Sequence, residues 1–312
     1  MTASTHRKSA SSDPTDDSRL MPELKTALSE ILSEPQITIF SVKPVGGGCI
    51  SSATQVTTNS RELLLKWNAS CPTDLFEREA GGLRALARAN GEIVIPKVFG
   101  ARPPRDRCPA LIVIEYLRTN DKTTENDHNT LLGRGLATIH RTTAQAFGFE
   151  STTYCGATPQ DNHWSNDWVE FFTKQRIIHL LKLIEIRRCP TASWKHSLDL
   201  FVDKLPKLLT HNPQPSLIHG DLWSGNVLKS ENGPALIDPA CAYTDREMEM
   251  GIATLFGGFP SRFWDAYQEA WALPYGWKER NTVYQIYHIL NHYYLFGGHY
   301  GSEALRIANS FL

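Results

Sequence analysis

No stretch of this sequence approaches the roughly 18 consecutive apolar residues that a membrane-spanning helix requires, so a transmembrane protein is not expected. The six cysteines, Cys49, Cys71, Cys108, Cys155, Cys189 and Cys241, include no CxxC pair. That removes zinc-ligand spacing, and a disulfide framework is not expected in a chain of this size; the thiols fit a reducing compartment. Charge of one sign is not in excess: 32 Lys and Arg stand against 33 Asp and Glu, a net charge of −1. Without a basic face or stripe, nucleic acid and membrane surfaces are not expected partners. The opening MTASTHRKSASSDPTDDSRL has no apolar h-region and is not read as a secretory signal, while Asp13, Asp16 and Asp17 disfavour an organellar transit peptide without excluding one. A cytoplasmic, soluble protein is the expectation. Residues 1–21 read as a solvated, disordered tail, and no internal repeat is visible.

What is present is an ordinary globular composition, 41% hydrophobic and 21% charged over 312 residues, enough for one large or two coupled domains. MPELKTALSEIL carries Leu24, Leu28, Ile31 and Leu32 at helical spacing. QITIFSVKPV, SSATQVTT and RELLLKWN read as three strands, the first two separated by the break GGGCI. LFEREAGGLRALARA follows as a helix and ALIVIEYL as a buried strand, then polar TNDKTTEND. A β-rich N-terminal unit is thus expected over residues 22–117. Residues 118–312 read as mostly helical, including WSNDWVEFFTKQRIIHLLKLIEIRR as one helix, with loops and a hairpin in SLIHGDLWSGNVLKSENGPALIDPACAY.

The strongest chemical signal is His219-Gly220-Asp221-Leu222-Trp223-Ser224-Gly225-Asn226, followed by Ile237-Asp238-Pro239. Phosphoryl transfer needs a carboxylate to take a hydroxyl proton, a neutral oxygen ligand a few residues on, and a second carboxylate for Mg²⁺. Asp221 and Asn226 have the spacing of a kinase catalytic loop, and Asp238 follows a short apolar run where a metal-binding aspartate belongs. Taken singly, each of these residues is as easily a turn cap or a loop-backbone partner. It is the ordered set that points to catalysis.

Gly46-Gly47-Gly48-Cys49 lies between two strands, where the absence of Cβ lets amides approach phosphate oxygens; a plain glycine hairpin is the alternative, since the segment lacks a Walker ending and the full GxGxxG. Lys66 stands inside the apolar strand LLLKWN. A helix carboxylate should pair with it, and of Glu77 and Glu79 we choose Glu79. Glu115 and Tyr116, after ALIVI, would form a hinge whose backbone meets adenine, or simply a strand end.

Together, GGGCI, LLLKWN, LFEREAGGL, the segment from GFESTTYCGATPQDNHW to KQRI, HGDLWSGNV, ALIDPA, DREMEM, LFGGFP, RNTVYQIYHILNH and LFGGHY resemble the fructosamine/ketosamine-3-kinase family, from about residue 22 to the end. That family belongs with the aminoglycoside-phosphotransferase-like branch of protein-kinase-like folds. The resemblance implies an α+β, bilobal fold with a β-rich N-terminal and a helix-rich C-terminal lobe. It also implies ATP-dependent phosphorylation of the 3-hydroxyl of a sugar attached through nitrogen, on free lysine or glycated protein, after which the adduct falls off and the amine is repaired. Carried over to this chain, Asp221 is the catalytic base, Asn226 and Asp238 the Mg²⁺ ligands, and Lys66 with Glu79 the phosphate-holding pair. Trp223 would lie against the sugar, a core aromatic being its alternative, with Asn162, His163, Trp164 and Trp168 as active-site or pocket-wall support; packing is as good a reading for Trp168. His140 is read as structural.

Two departures stand out. Thr244 precedes Asp245-Arg246-Glu247 where the family more often has Gly, and IDPA lacks the glycine of a protein-kinase DFG. Neither removes a carrier of charge. Cys49 sits in the presumed phosphate loop near Lys66, where its thiol would be oxidation-prone; the resemblance implies a monomer or a redox-dependent homodimer linked loop to loop, against the reading of a small residue chosen for fit. The competing functions are another small-molecule kinase of the same fold and a redox-controlled nucleotide-binding sensor.

Overall fold

The computed structural model describes residues 20–46, 51–89, 91–105, 108–119 and 124–312. Residues 1–19, and Gly47, Gly48 and Cys49 of the expected phosphate loop, lie outside them. Leu20 and Met21, placed with the tail in the sequence reading, belong to the first helix, α1 (Leu20–Leu32).

Strands β1 (Ile39–Val45), β2 (Ser52–Thr58) and β3 (Glu62–Asn68), then helix α2 (Leu75–Arg88), β4 (Val98–Arg102) and β5 (Ala110–Glu115), complete the N-terminal lobe. The strands form an antiparallel sheet in the order β1-β2-β3-β5-β4. Alternation along β3 sends Leu63 and Leu65 into a core shared with Leu28 of α1, and Leu64 to the other face, where α2 packs. Lys66, two residues after Leu64, therefore points to the α2 side. β5 is covered on both faces: Leu111 and Val113 join the α1 core, Ala110, Ile112 and Ile114 the α2 core. That is why ALIVI is a continuous apolar run rather than an alternating one. β4, an edge strand whose register slips between Val98 and Gly100, had no comparable periodic signal.

The C-terminal lobe begins with α3 (Glu125–His140), capped by Thr124, whose side chain accepts from Asp127 N–H. A hairpin not foreseen from the sequence follows, β6 (Thr153–Cys155) and β7 (Thr158–Gln160). The segment read as one long helix divides into α4 (Trp168–Phe171), a π-helical stretch (Phe172–Ile178) and α5 (His179–Arg188). Asp167 starts it, accepting from Glu170 N–H at 2.6 Å. The wide turn coincides with an inward-facing Arg176, fully buried, which donates to Asp161 O at 2.6 Å and to Asn162 Oδ1 at 2.7 Å. After α6 (Ala192–Leu208) come β8 (Ser216–Ile218), β9 (Val227–Ser230), β10 (Gly233–Leu236) and β11 (Ala242–Thr244), paired as β8 with β11 and β9 with β10. Helices α7 (Arg246–Ala253), α8 (Ser261–Ala270), α9 (Trp277–Phe296) and α10 (Tyr300–Asn309) close the lobe around a core rich in aromatics, among them Phe171, Phe172, Phe201 and Tyr284. Among the described residues no helix is long and apolar enough to cross a membrane.

Candidate active site

A cleft of about 330 Å³ opens between the lobes. Val45, Ala53, Leu64 and Ile114 from the sheet face Leu228 and Ile237 from the β9–β10 ladder across it. This apolar slot would suit a flat aromatic ring. Gly46, Glu115 and Tyr116 line the same cleft, as do Lys66, Glu79, Asp221, Trp223, Asn226 and Asp238. The residues singled out around the catalytic loop, the strand lysine and the hinge thus share one cavity despite their separation in sequence.

Lys66 bridges the two lobes. Its Nζ donates to Glu79 Oε1 at 2.7 Å and to Asp238 Oδ1 at 2.6 Å. Burial alone would favour the neutral amine, but Glu79 and Asp238 outweigh it and raise its pKa, so the ammonium stays charged. Glu77, the alternative partner, makes no such pair. Asp238 carries its backbone at φ 58° directly before Pro239, a left-handed conformation that Asp tolerates better than most residues.

The catalytic-loop segment between β8 and β9 is shaped by two glycines. Gly220 has φ 85°, and a Cβ there would stand 2.1 Å from Ala240 O. At Gly225 a Cβ would stand 2.2 Å from the Trp223 indole, so only glycine lets that ring lie flat over the loop. Trp223 remains 37% exposed at the cleft mouth, available to cover a ligand rather than fill a core. Asn226 donates through Nδ2 to Asp221 O at 2.8 Å and to Asp221 Oδ2 at 3.1 Å. Burial, resisted by the Asn226 bond and aided by Asp238 and Glu249, pushes the Asp221 carboxyl up to about 7.

Beneath the loop lies a residue that sequence reasoning passed over. Glu249 of α7 is fully buried and accepts from the backbone N–H of His219 at 2.6 Å and of Gly220 at 3.0 Å. His140, expected to be structural, stands with Nε2 3.6 Å from Glu249 Oε2 and Nδ1 2.9 Å from Tyr267 Oη. His219 Nε2 donates to Ile237 O at 2.8 Å while its Nδ1 accepts from Asp221 N–H at 3.3 Å, a pattern that requires the neutral ring. Burial lowers the pKa of both histidines, and it is opposed in Glu249, whose carboxylate His140 and His219 stabilise. The available signal was a carboxylate set between Met248 and Met250, ahead of the apolar end of the helix.

Other expected residues fall elsewhere. Asn162 does not line the cleft. It is 4% exposed, donates to Ser151 O at 2.9 Å and Thr153 Oγ1 at 2.8 Å, and accepts from Arg176, so it holds the β6–β7 hairpin to the helices. The pocket-wall expectation for it is corrected: both N–H donors of this buried amide are engaged inside the protein and its oxygen accepts from Arg176, away from the cleft. Trp164 is half exposed, packs against Gly148 and lies 6.1 Å from the Tyr243 ring, also outside the cleft lining. Trp168 is core, its Nε1 donating to Tyr284 Oη at 2.8 Å. Asp245, after the departure at Thr244, caps α7 by accepting from Glu247 N–H at 3.0 Å. Tyr154 and Gly156 of the unforeseen hairpin, by contrast, do line the cleft.

Comparison with known proteins follows the same lines. The family model described as fructosamine kinase matches residues 20–312. A probable ketoamine kinase of Vibrio cholerae is 34% identical over 295 residues, 94% of this chain and 99% of that one. The chloroplastic protein-ribulosamine 3-kinase of Arabidopsis thaliana is 34% identical over 287 residues, 90% of this chain and 86% of that one. Among solved structures, a chain from Thermobifida fusca assigned as a fructosamine-3-kinase superposes with a TM-score of 0.79 at 29% identity, covering 92% of this chain and 97% of that one. The aminoglycoside phosphotransferase APH(4)-Ia, solved with AMP-PNP and hygromycin B, superposes with a TM-score of 0.61 at 14% identity, covering 92% and 97%. That last likeness speaks to the fold, which is protein-kinase-like.

Proposed function

This chain belongs to the fructosamine kinase family, and on that premise we propose that it transfers the γ-phosphoryl group of ATP to the 3-hydroxyl of a ketosamine, a ribulose or fructose adduct on lysine. The observation that carries the reading is the convergence of Lys66, Asp221, Asn226 and Asp238 on one interlobe cleft. In this scheme the apolar slot takes adenine near Glu115 and Tyr116. Lys66, held by Glu79, binds phosphate oxygens together with the glycine-loop amides. Asp221 accepts the proton of the sugar hydroxyl as that oxygen attacks phosphorus in line, and ADP departs. Trp223 covers the sugar's C–H face.

The donor set fits magnesium. Asn226 spends its Nδ2 on Asp221, which leaves an amide oxygen beside the carboxylate of Asp238, and all-oxygen ligands are what a hard divalent cation takes. Bound there, the metal would neutralise charge on the phosphates. Most of the acceleration would come from positioning and electrostatics, since general-base help is worth about 10² to 10⁴ in rate.

The test is phosphate transfer from Mg·ATP to Nε-ribulosyl-lysine and Nε-fructosyl-lysine, with NMR locating the phosphate. Product at the 3-hydroxyl, lost in Asp221→Asn and Asp238→Ala, is expected. Wild-type turnover in both variants would overturn the assignment of roles, and ATP binding without transfer to either sugar would move the reading to another hydroxyl acceptor.

A further inference from the structure

The β6–β7 hairpin sits on the C-terminal lobe yet touches both sets of residues used above. It is anchored below: Gln160 Nε2 donates to Tyr287 Oη of α9 at 2.7 Å, and Asn291 Nδ2 of the same helix donates to the Cys155 Sγ at 3.2 Å. Alternation along β6 then turns the neighbouring side chain the other way. Tyr154 leaves the helical lobe, packs with the cluster that holds Leu75 and Phe76 of α2, and donates through Oη to Asp74 Oδ1 at 2.7 Å.

Asp74 is unusual for its place. It occupies the N-cap of α2, but its side chain accepts from none of the helix's first amides, a stabilising bond that Asp at this position ordinarily makes. Both carboxylate oxygens are committed elsewhere, Oδ1 to Tyr154 and Oδ2 to Arg78 Nε at 2.8 Å. Further along the same helix Glu79 holds Lys66. The first turn of α2 is thus tied through Asp74 to the opposite lobe.

We propose that Tyr154 is a positioning residue: acting from the C-terminal lobe through Asp74, it fixes helix α2 so that Glu79 keeps Lys66 aimed at the nucleotide's phosphates. The inference rests on the kinase reading given above. Tyr154 itself touches no phosphate in this scheme, and its hydroxyl acts only through the helix.

Steady-state transfer to a ketosamine is measured for wild type, Tyr154→Phe, Asp74→Ala, the double variant and Asp74→Asn, together with amide hydrogen exchange over residues 75–88. Tyr154→Phe keeps the ring and should lower kcat/KM for ATP roughly tenfold while leaving the ketosamine KM within about twofold, the loss of one charge-assisted hydrogen bond. The double variant should be no worse than the poorer single one, because both break the same link. Asp74→Asn keeps an oxygen for the phenol and should recover most of what Asp74→Ala loses. Exchange in α2 should quicken in Tyr154→Phe. Additive losses, or a loss confined to the ketosamine KM, would mean that the phenol meets the sugar instead and would overturn the proposal. If wild type transfers phosphate to no ketosamine, the functional reading falls, and α2 exchange still decides this one: unchanged exchange in Tyr154→Phe overturns the positioning role, faster exchange supports it.

Discussion

Lys66 and Asp238 lie 172 residues apart in the sequence and 2.6 Å apart in the structure. Their contact bridges the two lobes at the cleft, and Glu79 completes it from α2. Lys66→Met keeps the length of the stem and removes the charge. We expect kcat/KM for ATP to fall by at least about 10², the cost of losing a fixed cation beside the transferring group, and retention of wild-type kcat/KM would remove Lys66 from the phosphate site.

Glu249 carries the loop on which Asp221 stands, without reaching the cleft. Glu249→Gln preserves shape but replaces one of the two oxygens that accept from His219 and Gly220 N–H. The variant should lose about 1 to 3 kcal/mol of stability, the cost of a buried donor left unsatisfied, and kcat should drop while the ATP dissociation constant stays near wild type. Thermal unfolding and nucleotide titration together check this, and weakened ATP binding with full kcat would contradict it.

Acid should unfold the protein through its buried histidines. Burial holds His288 down at about 3 and lowers His140 and His219 as well. For each of these bases the folded pKa lies below the unfolded value near 6.5, so the stability they contribute is intact above about pH 6.5. It is lost as pH falls from there toward the folded values, because protons bind more readily to the unfolded chain. Urea unfolding between pH 7.5 and about pH 5 should show this decline, and His288→Leu should make it shallower by removing one such proton.

Gly225→Ala tests the Trp223 platform. A methyl group 2.2 Å from the indole must push it away, so the ketosamine KM should rise roughly tenfold with the ATP KM little changed, the value of one aromatic face against a sugar. An unchanged ketosamine KM would leave Trp223 without a part in sugar binding.

Much of the site was legible because its residues fall in contiguous runs whose chemistry is local. HGDLWSGN puts a carboxylate, an indole and an amide on one loop, and the positions of its glycines follow from contacts within a few residues or across one turn. Lys66 was conspicuous as a charge inside an apolar strand, and Glu79 could be preferred to Glu77 only by analogy; the geometry pairs Glu79 with Lys66. Asn162 and Trp164 misled because a polar or aromatic residue in a distinctive segment reads alike whether it faces a ligand or locks a hairpin. The difference lies in where Arg176 and Thr153 stand, which no local pattern encodes.

The amino-acid sequence by itself determined the apolar runs that become the buried strands, the periodic segments that become helices, and the loop that carries Asp221, Trp223 and Asn226 together. Those depend on neighbours along the chain: period and turn. Only the tertiary structure decided that Glu249 sits under the catalytic loop, that the short β6–β7 hairpin exists and reaches α2, and that Asp74 at the start of α2 bonds Tyr154. These are contacts between segments distant in sequence, made by polar groups that folding takes out of water and that must find partners wherever the packing brings them.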